Sequence, residues 1–367
     1  MSPSVSPEAE RTTYDPSPAS PTDYSRTPTV KHAGNMAAPA AAAVIDQPSL
    51  EVDLETSLEY STSLESSTQS ITSSIVDYVY ENGRRYHRLQ EGKYLLPNDE
   101  KEQDRLDMYH HLQLLTLRGA LFVAPIANKP QHILDCGTGT GIWALDVGEM
   151  FPSAEVIGVD LSPIQPNWVV PNVRFEVDDL ERDWTFQEDR FDFVHSRNIA
   201  QSIRDWPKYL RQMYRHTKPG GFIELAEVET ALHSDDGTFA GSALERYFAN
   251  FVEAISGVGV DLIQPTGSLL KSMVEAAGFV DVVTKPFKMP WGGWPKNAEM
   301  KRAGFIVALN SATGLEAYAM APMTRYLGMT SEEVLELCKA AHKDVEGRKV
   351  HAYQVMWHVY GRKPEAE

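Results

Sequence analysis

Cysteine is nearly absent from this chain: 367 residues contain two, Cys136 and Cys338. That excludes a disulfide framework, and a chain of this length can build a core without one. No apolar run approaches the roughly 20 residues that a membrane-spanning helix requires. The stretch AAPAAAAVI at 37–45 is short and follows a polar segment, and no charged start leads into an apolar core as in a secretory signal. Basic residues are outnumbered to a net charge of −17, with no basic run. The expectation is no direct nucleic-acid partner and no anionic membrane surface. Metal-ligand spacing is missing among the histidines and cysteines, and the adjacent His110 and His111 cannot share one helix face. The loops G-x-x-x-x-G-K-[ST] and G-x-S-x-G do not occur, which removes a nucleoside-triphosphate cradle and a serine-hydrolase elbow. These absences together predict a cytoplasmic protein without a metal.

What is present falls into three stretches. Residues 1–72 hold eight of the 23 prolines by residue 48, amid Ser, Thr and Ala, with few aromatics. Such a composition predicts a disordered tail, because too little apolar surface is available to offset the ordering entropy. Residues 73–130 read as a helical segment. It starts with dense aromatics and a Gly turn, then a helix from about Glu102, capped by Asn98 or Asp99, with Leu106, Tyr109, Leu112 and Leu115 on one stripe. Over 131–364, short apolar runs alternate with helical periods. Strands are expected at HILDCG (132–137), EVIGVD (155–160), VRFEVD (173–178), FDFVHS (191–196), GGFIELAEV (220–228), VDVVTKPF (280–287) and within 351–363. Helices are expected at 142–150, 206–216, 240–256, 267–277, 297–313 and 331–345. That alternation predicts a doubly wound α/β fold, its sheet mostly parallel and covered on both faces, with helical insertions at about 235–277 and 290–347.

The densest chemical signal is LDCGTGTGIWA, Leu134 to Ala144. Gly137, Gly139 and Gly141 lie between a buried strand and a helix, where small residues let the backbone approach a ligand and helix amides stand unpaired. The dinucleotide fingerprint would place its third glycine at Ile142, and Asp135 two residues ahead of the loop repels phosphate. Both features count against a nicotinamide-dependent oxidoreductase. They suit S-adenosylmethionine, whose amino-acid end carries an ammonium and a sulfonium. Asp160 ends the next strand, placed to accept ribose hydroxyls, with Leu161 beside it to pack on a ring; after the third strand, Asp178 or Asp179 would reach an adenine amino group. Cys136, inside the loop, reads as a small buried residue.

The motifs DCGTGTGIWA, GVDLSPIQP, VDDLERDW, FDFVHSRNI and KPGGFIELAE resemble the class I, seven-stranded, Rossmann-like methyltransferases. ENGRRYH, LPNDEKEQDRLD, GVDLSPIQPNW and the closing HAYQVMWHVYGRKP are similar to the fungal LaeA-like methyltransferases, over about residues 76–364. The resemblance implies an S-adenosylmethionine site, with Asp135, Gly137 and Gly139 toward the methionine moiety, Asp160 and Leu161 toward ribose and adenine, and Asp179 at the adenine edge. It also implies that ENGRRYH folds over the cofactor, which makes Tyr86 and Tyr94 wall residues. Two roles follow from it: an enzyme that methylates oxygen or nitrogen of a small secondary metabolite, or a nuclear regulator acting in a velvet-type complex. PGGFIELAE leans toward the enzyme.

Methyl transfer needs alignment, exclusion of water and a proton acceptor for a hydroxyl substrate. The sequence offers His195 at the end of the fourth strand, and Glu229 or His233 after the fifth. Met289, Trp291, Trp294, Phe305, Tyr318, Met320, Met323 and Tyr326 make the insertions rich in aromatics and methionine, as for an apolar, ring-bearing acceptor.

Overall fold

The computed structural model describes residues 78–87, 96–166, 169–200, 202–256 and 265–365. The expected tail over 1–72 and Tyr94 lie outside the described residues. The first described element is a hairpin of β1 (Tyr78–Glu81) and β2 (Arg84–His87), where a helical segment was expected. Asn82 and Gly83 explain it: both take positive φ, 48° and 74°, the signature of the tight turn whose twist matches paired strands. Helix α1 (Glu100–Thr116) follows, with the Asp99 side chain accepting from the Glu102 amide as its N-cap.

Seven further strands form one sheet: β3 (His132–Cys136), β4 (Glu155–Asp160), β5 (Val173–Val177), β6 (Phe191–Arg197), β7 (Thr217–Val228), β8 (Val280–Pro290) and β9 (Tyr353–Arg362). The spatial order is β5-β4-β3-β6-β7-β9-β8. The first five are parallel and β9 runs antiparallel to both β7 and β8. The sheet grows outward in both directions from β3, so chain crossovers leave it on opposite faces between β3 and β6. The crevice at that reversal, beyond the carboxyl ends of the strands, is where ligands bind in open α/β sheets.

One face is covered by α2 (Ile142–Met150), whose Trp143, Ala144 and Val147 pack with Ile133 and Phe193. The other carries α3 (Trp206–His216) and α5 (Gly267–Ala276), with Trp206, Tyr209, Leu210, Leu270 and Val274 in the main core. Each fully buried large side chain here contributes about 1.5–3 kcal/mol. Helix α3 starts where Asp205 caps it and Pro207 occupies its first turn. A separate helical layer joins α4 (Ala243–Ser256), α6 (Ala298–Tyr326) and α7 (Ser331–Glu346) around Tyr247, Phe251, Leu315, Met320, Met323 and Val334.

Helix α6 runs well past the end expected at 313. Gly314 lies inside it, at a position where a Cβ would lie 3.1 Å from Asn310 Oδ1 and 3.3 Å from Arg105 Cδ. The glycine permits close approach of α1, and Asn310 seals the contact by donating to the Arg105 carbonyl at 3.0 Å.

Candidate active site

Gly137, Gly139 and Gly141 all take positive φ (72°, 57° and 82°), so the loop between β3 and α2 bends as only glycine permits without strain. At Gly141 space is also lacking: a Cβ would meet the Phe175 ring at 2.3 Å. The loop is tied to β4. The Gly137 and Thr138 amides both donate to the Val159 carbonyl at 2.9 Å, and the Gly139 amide donates to Asp160 Oδ2 at 2.8 Å. Gln165 donates to the Gly139 carbonyl from the other side.

Asp160 accepts a second amide hydrogen from Ser162, at 2.9 Å. Burial pushes its carboxyl up to about 6, against the pull of those two amides and with Asp135 adding to the rise. Asp160, Leu161, Asp178 and Asp179 all line one cavity together with Gly137 and Gly139. Gly141 lies behind it as the N-cap of α2.

Asp135 is placed differently from the cofactor contact expected of it. Its carboxylate accepts from Thr138 Oγ1 at 2.7 Å and meets His195 Nδ1 at 2.8 Å, under the loop and outside the cavity lining. His195 is 1% exposed and stacked on Trp143, with ring centroids 3.7 Å apart at 6°. Burial lowers its pKa, with Asp135 opposing. A neutral imidazole donating to Asp135 holds the loop's base in shape, and it has no access to an acceptor molecule. The structure therefore separates His195 from the reacting space, because strand register sets it directly beside Asp135.

Beyond β7, Glu229 lines the cavity, with Oε1 accepting from Trp357 Nε1 and Oε2 bound to His233 Nε2, each at 2.6 Å. His233 stacks on Tyr353 and is not part of the lining. Tyr86 is buried on β2, away from the lining, with Arg325 over its ring. Leu96, Pro97 and Asn98, with Leu106, Tyr109 and Leu112 of α1, form the wall that the N-terminal segment supplies.

Two residues of the site were not singled out from the sequence. Glu227, 1% exposed, lines the cavity, and its carboxylate oxygens accept from the Ile199 amide at 3.0 Å and the Ala200 amide at 3.2 Å. Burial pushes it up to about 8 despite those bonds. Arg197, at the end of β6, lines the same cavity. Strand-end position was the available signal for both.

The cavity, about 290 Å³, extends from the glycine loop into a chamber walled by Tyr247, Phe248, Phe251, Met289, Trp291 and Tyr318. Of the aromatic and methionine residues expected there, Met320 and Met323 belong to the helical core, while Phe305 and Tyr326 are exposed. Both thiols are buried, and burial raises both pKa values, Cys338 to about 12, so neither is a nucleophile. Among the described residues no group of His, Cys, Asp and Glu could hold a metal, and no helix is long and apolar enough to cross a membrane.

The donor set fits a nucleoside without phosphates. Carboxylates outnumber arginines around the cavity and no lysine lines it among the described residues, so a polyphosphate would find repulsion, whereas hydroxyls, an amino group and a sulfonium find acceptors. Asp160→Ala is expected to weaken S-adenosylhomocysteine about tenfold or more, the worth of one or two charge-assisted hydrogen bonds, as calorimetry would read. The sheet order, the glycine cradle and the carboxylates at successive strand tips define a class I S-adenosylmethionine-dependent methyltransferase.

Residues 108–284 match the methyltransferase domain family model. The chain is 42% identical over 289 residues to Methyltransferase pytC of Aspergillus terreus, covering 78% of this chain and 88% of that protein. It is 35% identical to Secondary metabolism regulator LAE1 of Cochliobolus heterostrophus, over 78% of this chain and 94% of that one. Identity to Protein-methionine methyltransferase laeA of Emericella nidulans is 31%, over 77% and 76%. The chain belongs to the fungal LaeA-like family of S-adenosylmethionine-dependent methyltransferases.

Proposed function

We propose that this protein methylates oxygen or nitrogen of a small, apolar, ring-bearing metabolite in fungal secondary metabolism, as a cytoplasmic enzyme. The observation that carries this reading is the single cavity running from the glycine loop to the aromatic chamber, with the Glu227 carboxyl at its wall. The bound cofactor supplies an electrophilic methyl group. Asp160 and Asp178 or Asp179 would hold its ribose and adenine, and Gly137 and Gly139 make room for its amino-acid end. The chamber's rings exclude water and orient a flat acceptor. Glu227, and not His195, takes the acceptor's proton, since it lines the cavity and burial pushes its carboxyl up to about 8, where a base works best near neutral pH. Glu229 is held by Trp357 and His233 and acts as a wall group. Trp291, edge-on to Phe248 at 5.2 Å and donating to Gln354, serves acceptor binding. Trp291→Ala is expected to raise the acceptor's KM about tenfold with the cofactor's KM unchanged, in steady-state kinetics.

The deciding experiment is metabolite profiling of a deletion strain, followed by incubation of the accumulated compound with purified protein and methyl-labelled S-adenosylmethionine. The expected result is a precursor lighter by one methylene that takes up label. The resemblance to LAE1 and laeA favours a second reading, a nuclear regulator with velvet-type partners and a protein side chain as acceptor. Label appearing in protein, with no accumulated precursor, would establish that reading and remove the first.

A further inference from the structure

Arg197 stands out as a half-buried cation on the cavity wall. Arg105, which also lines the cavity, is neutralised by Glu102 through two hydrogen bonds of 2.7 and 2.8 Å, and Arg204 is exposed to solvent. Arg197 has no carboxylate partner among the described residues; its polar contact is His110 Nδ1, 3.2 Å from Nη2. A guanidinium only donates, so Nδ1 must be the accepting nitrogen, and the ring's other nitrogen then carries the hydrogen. That nitrogen, Nε2, lies 2.9 Å from Asp146 Oδ2. The three side chains come from three elements, β6, α1 and α2, and they fix the guanidinium through His110 without a direct ion pair to it. Asp135, Asp146 and Glu224 act on it only from a distance, so among the described residues no direct ion pair competes with an anion from the ligand.

S-adenosylmethionine carries one anionic group, its α-carboxylate, and must enter a cavity in which carboxylates outnumber arginines. Arg197 extends one residue past the pairing of Ser196 with Cys136, beside the glycine loop where the amino-acid end of the cofactor belongs. We infer that Arg197 is the anchor for the cofactor's α-carboxylate, and that His110, braced by Asp146, is the residue that positions it. The planar guanidinium suits two-point binding of a carboxylate. This rests on the S-adenosylmethionine reading of the cavity.

The test is calorimetry of the full chain with two ligands, S-adenosylhomocysteine and the same compound lacking its carboxylate. Wild type should bind the first at least tenfold more tightly. Arg197→Gln should lose about ten- to a hundredfold of S-adenosylhomocysteine affinity, while the decarboxylated ligand binds within about twofold of wild type, which also certifies the variant's fold. Arg197→Lys should fall between the two. His110→Ala should shrink the ratio between the ligands, and His110→Asn, whose amide oxygen can replace Nδ1 as acceptor, should restore part of it. A merely structural role would weaken both ligands in parallel, and that result, or an unchanged ratio in Arg197→Gln, would overturn the anchor. Failure of wild type to bind S-adenosylhomocysteine at all would instead overturn the cofactor reading, and the anchor with it.

Discussion

Glu227→Gln is expected to lower kcat for methyl transfer by about a hundred- to ten-thousandfold, the usual contribution of a positioned proton acceptor, while S-adenosylhomocysteine binds within about twofold of wild type. The carboxylate needs no rearrangement to act. One oxygen is fixed by the Ile199 amide and the other by the Ala200 amide, so both retain a lone pair free of protein donors. With the pKa pushed up to about 8, the carboxyl gains its charge near physiological pH, where a proton acceptor is most effective. The rate should therefore rise with pH and level off above about 8, and that inflection should vanish in the glutamine variant. Stability gives an independent reading. A carboxyl whose folded pKa lies above its unfolded value of 4.5 stabilises the fold fully below that value, and the benefit is lost as pH rises through about 8. Wild type should melt at progressively lower temperature across that window, and Glu227→Gln should flatten the decline. A glutamine variant that keeps kcat within about threefold and an unaltered pH profile would remove Glu227 from the chemistry.

The fold was legible where local pattern and burial coincide. Parallel strands covered on both faces read as continuous apolar runs, so β3, β4 and β6 stood out, and the glycine triplet marked the turn at their carboxyl ends. Register was not legible. The sequence puts His195 at a strand tip, where it resembles a reactive group, but only the pairing of β6 with β3 sets it opposite Asp135 and buries both. Facing was hidden in the same way. Glu224 and Glu227 stand three apart on β7, an odd separation that sends them to opposite faces of the sheet. One meets the segment before β3 and the other meets the turn after β6. Nothing in FIELAE says which of them reaches a cavity. Arg197 was missed because its partners come from α1 and α2, far off in sequence.

The other carboxylate of that pair carries a large effect of a different kind. Glu224 is fully buried, and its Oε2 accepts from the Val123 amide at 2.8 Å and the Ala124 amide at 2.7 Å, while Oε1 lies 2.8 Å from His358 Nδ1 on β9. Glu224→Leu would strand two backbone amides and a buried imidazole whose Nε2 already lacks a partner. The expected cost is about 3–5 kcal/mol, as for removing one member of a buried polar pair, equivalent to a drop in Tm of roughly 10 °C for a domain of this size. The damage should reach the cofactor. Val123 and Ala124 belong to the link between α1 and β3, and the same link anchors Trp143 of α2 through the Leu121 carbonyl at 2.8 Å. Freed from Glu224, that link would let α1 shift with Tyr109 and His110, so S-adenosylmethionine KM should rise even well below the melting transition. Glu224→Gln keeps one oxygen that can accept from both amides and should lose less on both measures. Adding His358→Leu to Glu224→Leu should recover part of the stability, because the stranded imidazole is then gone, and recover none of the KM, because the amides remain unpaired. A Glu224→Leu protein that melts within about 3 °C of wild type would show that this carboxylate does not hold the link.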